Sequence, residues 1–386
     1  MSEAISRTGE FLTRARILTA ALLLVLVAVP FYLDEFWMQL GVFTLAAAVG
    51  AIGLTIQVGV AGQFSLAHAL FLGSGAYLYA FLAGSPEGKV NGLGWPTALA
   101  ALGAVFLSGL LGAAFSPMAG RVRGLYLAVA SIGLVFLGQH LLTKVIPLSG
   151  GPAGRAVPPL SLGGFEFSDS EKIMVLGIPF GGLEKLWFLG LVVVVVGYVA
   201  ARRIVDGRPG LAMNMMRESE IGAAAMGVRV GRAKAGSFVL AAVYGSTAGL
   251  MLALASQWIV PHSFGYLASV DYLAMVIIGG MGSVRGAVAG AAFVTALPLL
   301  LSRHTDSLPF LSGTSGNGGI DGTVFATLLY AALLILVIMF APGGLNALLT
   351  RITGRPENQR RHVRRGGPQS PDSTVGKRRT LQRTPA

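Results

Sequence analysis

Residues 36–86 read FWMQLGVFTLAAAVGAIGLTIQVGVAGQFSLAHALFLGSGAYLYAFLAGSP, without a single Asp, Glu, Lys or Arg. Roughly 20 apolar residues carry a helix across a hydrocarbon core about 30 Å thick, so this stretch holds two crossings, at 36–58 and 64–84. Charge-free runs recur at 90–120, 124–143, 235–270 and 322–350. A membrane β-barrel would instead alternate apolar and polar residues in strands of about ten. The fold class is therefore all-α, a polytopic transmembrane helical bundle.

Composition supports this. Of the 386 residues, 54% are apolar and 12% charged, about half the ~25% charged content of soluble domains. The chain has 54 glycines, about twice the ordinary ~7%; small residues let membrane helices approach closely. Cysteine is absent, which excludes disulfides, thiolate catalysis and cysteine-based metal sites. The five histidines, at 68, 140, 262, 304 and 362, have no ligand spacing.

The net charge of +12 is local rather than general. From Arg351 onward there are ten Lys or Arg against two acids, and the 202–234 loop has seven against three. Basic loops flanking spans mark the cytoplasmic side, so the charge reports orientation and not nucleic-acid binding. With Arg7, Arg14, Arg16, Arg121 and Arg123 also inside, the reading gives about ten crossings with both termini cytoplasmic. The spans are 17–33, 36–58, 64–84, 95–116, 124–142, 186–201, 236–256, two short ones within 271–301, and 323–341. Segment 1–16 is cytoplasmic, 17–345 is the transmembrane domain with an outer loop at 143–185, and 346–386 is a basic tail whose composition predicts disorder.

No phosphate-binding, metal-binding or nucleophile motif is present. Gly84-Ser85-Pro86-Glu87-Gly88-Lys89 is one residue short of P-loop spacing. No carboxylate lies mid-span, where a proton-coupled carrier acting alone would need one, and no acid/base set supports a lipid-modifying enzyme. The energy source is expected outside this chain.

Three stretches stand above this background. The first is Gln57-Val58-Gly59-Val60-Ala61-Gly62-Gln63-Phe64-Ser65-Leu66-Ala67-His68, read either as a broken segment exposing Gln63, Ser65 and His68 to a translocation path or as a tight turn. The second is Gly279-Gly280-Met281-Gly282-Ser283-Val284-Arg285-Gly286, whose glycines break a helix at membrane depth, where irregular backbone must be buried in protein or line a wet cavity. The third is the helix expected between Pro209 and Gly227. There Leu211/Met215, Ala212/Met216 and Ile221/Ala225 repeat at helical spacing. It either lies in the lipid headgroups or docks into a partner's groove.

Together these residues resemble the ABC importer permeases of the branched-chain amino-acid transporter family, on the LivM side of the LivH/LivM pair. The resemblance covers about residues 40–345. It is carried by Gly53-Leu54 through His68, Arg121-Val122-Arg123-Gly124-Leu125-Tyr126-Leu127-Ala128, Gly150-Gly151-Pro152-Ala153-Gly154, Arg217-Glu218-Ser219-Glu220 with Ala223, Ala224 and Gly227, Gly279 to Gly286, and Phe340-Ala341-Pro342-Gly343-Gly344-Leu345. Arg155 stands where the family pattern has Leu, and 163–185 is longer and more polar than the pattern.

The resemblance implies a transport subunit without an ATPase site of its own, in a cell membrane. Its partners would be a second, LivH-like permease, two cytoplasmic ATPase subunits that bind the ATP, and an external solute-binding protein. The substrate would be leucine, isoleucine or valine, with urea or short amides as the alternative in the same family. Arg217, Glu218, Glu220, Ala223, Ala224 and Gly227 would couple to the ATPase. Gln63, Ser65, His68, Gly279, Gly280, Gly282 and Ser283 would line the path.

Overall fold

A computed structural model describes residues 21, 24–87, 90–122, 124–168, 173–175, 178–305, 325, 328–332, 335–336, 339 and 344–347. Segment 1–16, the start of the 17–33 span, much of the 323–341 span and the tail from 348 onward lie outside the described residues.

The architecture is mostly helical. In chain order the helices are α1 (Glu35–Leu54), α2 (His68–Ala83), α3 (Thr97–Arg121), α4 (Leu125–Lys144), α5 (Gly182–Asp206), α6 (Arg208–Glu218), α7 (Glu220–Ala225), α8 (Val230–Ser256), α9 (Tyr266–Gly279) and α10 (Val284–Thr305). Among the described residues, five helical segments are long and apolar enough to cross a membrane: Glu35–Val60, Thr97–Arg121, Tyr126–Lys144, Gly182–Asp206 and Val230–Ser256. α2, α9 and the Val284–Leu300 part of α10 are shorter apolar helices.

Helices α1, α2 and α8 form the centre, and α8 packs against α1, α2 and α3. α1 carries apolar or small residues all round, as a helix enclosed by others does. Residues Leu45 to Leu54 are buried without a break. α3, α4 and α5 are peripheral and keep an apolar outer face, with Leu102 70% and Val196 62% exposed. That face suits lipid, which solvates leucine and valine as well as a protein core does.

Glycine sets the spacing at the centre. A Cβ placed on Gly75 of α2 would sit 2.1 Å from the Ser246 carbonyl oxygen, and one on Gly249 of α8 would sit 1.9 Å from that of Leu72. The two backbones touch, and no side chain can be interposed. Gly249→Ala is therefore expected to destabilise the protein by about 1–3 kcal/mol through overpacking. Gly133→Ala on α4, where nothing lies within 4 Å, serves as the neutral control. Thermal midpoints of the two variants in detergent check this; equal midpoints would refute it.

One end of the bundle is closed by the connection expected as a polar loop at 143–185. Instead of irregular chain, α4 runs on to Lys144, a helical turn spans Ile146–Ser149, and α5 begins at Gly182. Between them strands β1 (Arg155–Ala156), β2 (Ser161–Leu162), β3 (Phe165–Glu166), β4 (Ile173–Val175) and β5 (Ile178–Phe180) form short antiparallel pairs, β2 with β3 and β4 with β5. β1 pairs with β6 (Trp258–Ile259), beyond α8, with Arg155 opposite Ile259. Arg155 is 5% exposed and donates to the carbonyls of Leu148 and Asn91, so this departure from the family pattern is an internal clamp. Burial pulls its pKa below the ordinary arginine value, yet arginine remains charged at physiological pH.

Candidate functional site

The opposite end carries the 202–234 loop, and here the expected single helix divides. α6 stops at Glu218, Ser219 adopts extended backbone, and α7 starts at Glu220. Ser219 Oγ accepts from the Gly222 amide at 3.1 Å, the bond a serine N-cap makes. The cap competes with helix continuation and wins. α7 closes at Gly227, whose φ of +84° suits the left-handed position after a helix.

This break resets which side chains face inward. Met213, Met216 and Ala223 are buried, whereas Leu211, Ile221 and Met226 are 63%, 80% and 75% exposed. Glu220 also turns inward, pairing with Lys234 at 2.7 Å. Lys234 Nζ in turn donates to the Ala119 carbonyl at the end of α3, at 3.1 Å. Glu218 and Ala224 stay exposed. Of the residues expected to couple to an ATPase, Glu218, Ala224 and Gly227 lie outward while Glu220 and Ala223 lie inward.

Above this loop sits the first glycine-containing break. α1 continues as a π turn over Thr55–Val60, all of it buried, and π turns inside helices concentrate at functional sites. The chain then reverses through Gly62, φ +69°. Gln63, Ser65 and His68 are 5%, 2% and 1% exposed. The start of α2 is held by side chains from elsewhere: Ser131 Oγ accepts from the Leu66 amide at 2.8 Å, and Ser269 Oγ accepts from the Ala69 amide at 2.9 Å. His68 packs on Tyr272 of α9, ring centroids 4.8 Å apart. The side-chain amide of Gln63, Gln57 Nε2, Thr55 Oγ1 and Tyr272 Oη make no hydrogen bond among the described residues.

The second break joins α9 to α10. Gly280 and Gly282 take φ of +105° and +83°, and Ser283 Oγ caps α10 by accepting from the Gly286 amide at 3.1 Å. A Cβ on Gly279 would lie 2.1 Å from the Gly286 carbonyl oxygen, so the two helix ends meet backbone to backbone. The two breaks also touch: a Cβ on Gly59 would lie 2.4 Å from Gly282 N. Gly344, the described glycine of the closing Pro342-Gly343-Gly344 motif, rests on Gly280.

Arg217, at the end of α6, reaches into this junction. Its Nη1 donates to the Gly59 carbonyl, and its stem lies on Gly62, where a Cβ would be 2.7 Å from Arg217 Cγ. The structure therefore brings one member of the expected coupling set to the two expected path segments. Tyr272, Lys234, Ser131 and Ser269 were not singled out by sequence, since a lone tyrosine, lysine or serine in a span gives no pattern.

The sequence model of the family described as "Branched-chain amino acid transport system / permease component" matches residues 36–342. The chain belongs to that family. This permease is 28% identical over 347 residues to the "high-affinity branched-chain amino acid transport system permease protein LivM" of Salmonella typhimurium, covering 86% of this chain and 75% of the relative. It is 26% identical to BraD of Pseudomonas aeruginosa and 24% identical to LivH of Escherichia coli, each covering 80% of this chain and 92% of the relative. No solved structure matches the chain significantly.

Family and apolar helices together make the permease a multi-pass membrane protein. Both glycine breaks and the whole of α6 and α7 fall within the matched region. Among the described residues no group of three or more His, Asp or Glu side chains is placed to hold a metal. What the site offers is close backbone packing and buried hydrogen-bonding groups that the described residues leave unmatched.

Proposed function

We propose that the chain is the transmembrane permease subunit of an ATP-binding-cassette importer that takes up leucine, isoleucine and valine. A second, LivH-like permease completes the path, two cytoplasmic ATPases drive it, and an external binding protein delivers the substrate. The observation carrying this reading is the family match across residues 36–342, joined to a loop that presents Leu211, Ile221 and Met226 outward. Exposed apolar side chains on a short, capped helical pair suit docking into a partner's groove.

In this reading the basic end is cytoplasmic, both termini lie there, and the chain crosses the membrane about ten times. Gln63, Ser65 and His68 line the path with Gly279, Gly280, Gly282 and Ser283. Polar atoms left unpaired in a membrane interior are disfavoured by several kcal/mol each. A passing zwitterion would supply partners to Gln63, Gln57 and Tyr272 without a fixed charge to trap it.

The test is uptake of radiolabelled leucine in cells expressing the complete system. Uptake is expected to vanish on ATP depletion and to persist when the proton gradient is collapsed. The opposite pattern would overturn the ATP-driven reading. Competition by urea or acetamide, but not by isoleucine, would overturn the substrate.

A further inference from the structure

We propose that Arg217 is a positioning residue for transport, a latch that ties the coupling loop to the junction of the two glycine breaks. This rests on the importer reading above. The expectation from sequence places Arg217 on the surface that meets the ATPase; the residue is exposed there, while its Nη1 turns toward the junction of the breaks. Nη1 donates to Gly59 at the π turn and lies 3.7 Å from where a Cβ of Gly282 would be. Its stem occupies the space above Gly62 that any side chain there would fill.

Three features make this a latch rather than one more contact. Arg217 stands two residues before the break at Ser219, where α6 ends and α7 begins. Its acceptor is a carbonyl of the π turn, and that turn sits backbone against backbone on Gly282. Arg217 thus joins α6 to both breaks through one side chain. The rest of the loop is anchored elsewhere, through Glu220 and Lys234 to α3. The planar guanidinium fork can hold one carbonyl while facing a second backbone segment, which an ammonium cannot reproduce.

The experiment compares wild type, Arg217→Ala and Arg217→Lys in the full complex, reconstituted in liposomes with its binding protein, using leucine. ATP hydrolysis and uptake are read in the same vesicles. Arg217→Ala is expected to assemble and hydrolyse ATP at near wild-type rate while leucine moved per ATP falls about tenfold, the size of an ordinary coupling term. Arg217→Lys is expected to recover only part of that ratio. If assembly, hydrolysis and uptake fall in parallel, or if the ratio is unchanged, the latch is overturned.

A second arm does not depend on ATP. The chain has no cysteine, so Gln63→Cys can be labelled with a membrane-impermeant maleimide without background. Gln63 is 5% exposed beside Gly62. Labelling is expected to rise about fivefold or more when Arg217→Ala is added, again the low end of ordinary coupling. Unchanged labelling overturns the latch even where uptake is altered. Wild-type vesicles that show no ATP-dependent uptake would instead overturn the importer reading, and the labelling arm would still decide the latch.

Discussion

Replacing Ile221 and Met226 together with aspartate is expected to abolish leucine uptake while leaving the permease folded and inserted. Both side chains stand free on α7 and the turn after it, 80% and 75% exposed, so their removal opens no cavity in the subunit. Surface substitutions of this kind change stability by about 0.5 kcal/mol or less. At an interface the same positions count for much more. Buried apolar anchors contribute about 2 kcal/mol each, and two carboxylates placed in an apolar groove add a desolvation cost. The expected loss is on the order of a thousandfold in affinity for the ATPase. Co-purification of the ATPase with the tagged permease measures it. Full retention of the ATPase with normal uptake would show that α7 is not the docking surface. Glu218→Lys should be milder, because a rim charge alters association more than the final affinity.

How far the sequence foretold this arrangement depends on the range of the interactions involved. The long helices were legible because a membrane excludes charge: α1 with its π turn, α3, α4 and α8 overlap the expected 36–58, 95–116, 124–142 and 236–256, although α3 runs on to Arg121 and α8 starts already at Val230. The break expected over Gly279–Gly286 was legible because a glycine cluster cannot sustain a helix, but it is shorter than expected, since α9 runs to Gly279 and α10 starts at Val284. The 202–234 loop was only half legible. A single helical wheel drawn over 209–227 assigns its faces wrongly, because the capped break at Ser219 resets the phase. The roles of the charged residues were not legible at all. Arg217 bonds to Gly59, 158 residues away, and Glu220 to a lysine on the next helix. Periodicity carries no information about such partners. The same holds for the β1–β6 pairing that closes the other end, which joins strands separated by four helices and several loops.

These long-range contacts share one design. Side chains are removed where the two breaks meet, and the gap is filled by backbone from elsewhere: Gly59 against Gly282, Gly279 against Gly286, Gly344 against Gly280. Contacts between backbones are stiff, because neither side has a rotamer to give. A small displacement on one side must be met by an equal displacement on the other. A continuous line of such contacts runs from Arg217 of α6 through Gly59 to the α9–α10 turn.

Gly59→Val tests that stiffness most directly, and its expected result is uptake reduced to background in a protein that still inserts. The new Cβ would lie 2.4 Å from Gly282 N and 2.9 Å from its Cα, both backbone atoms that cannot swing aside. Gly282 is itself pressed on the Gly59 carbonyl, whose oxygen lies 3.2 Å from where its own Cβ would be. Nor can the α9–α10 turn retreat freely, because Gly344 presses on Gly280, where its own Cβ would fall 2.6 Å from Gly280 N. The two breaks must separate, and the Gly59 carbonyl moves off Arg217 as they do. Overpacking of this kind costs about 1–3 kcal/mol, enough to shift a two-state equilibrium by ten- to a hundredfold. Gly231→Ala, with nothing within 4 Å of the added carbon, should transport like wild type and controls for an added side chain as such. Normal uptake by Gly59→Val at an unchanged thermal midpoint would mean that the breaks work independently, and that their contact only fills space.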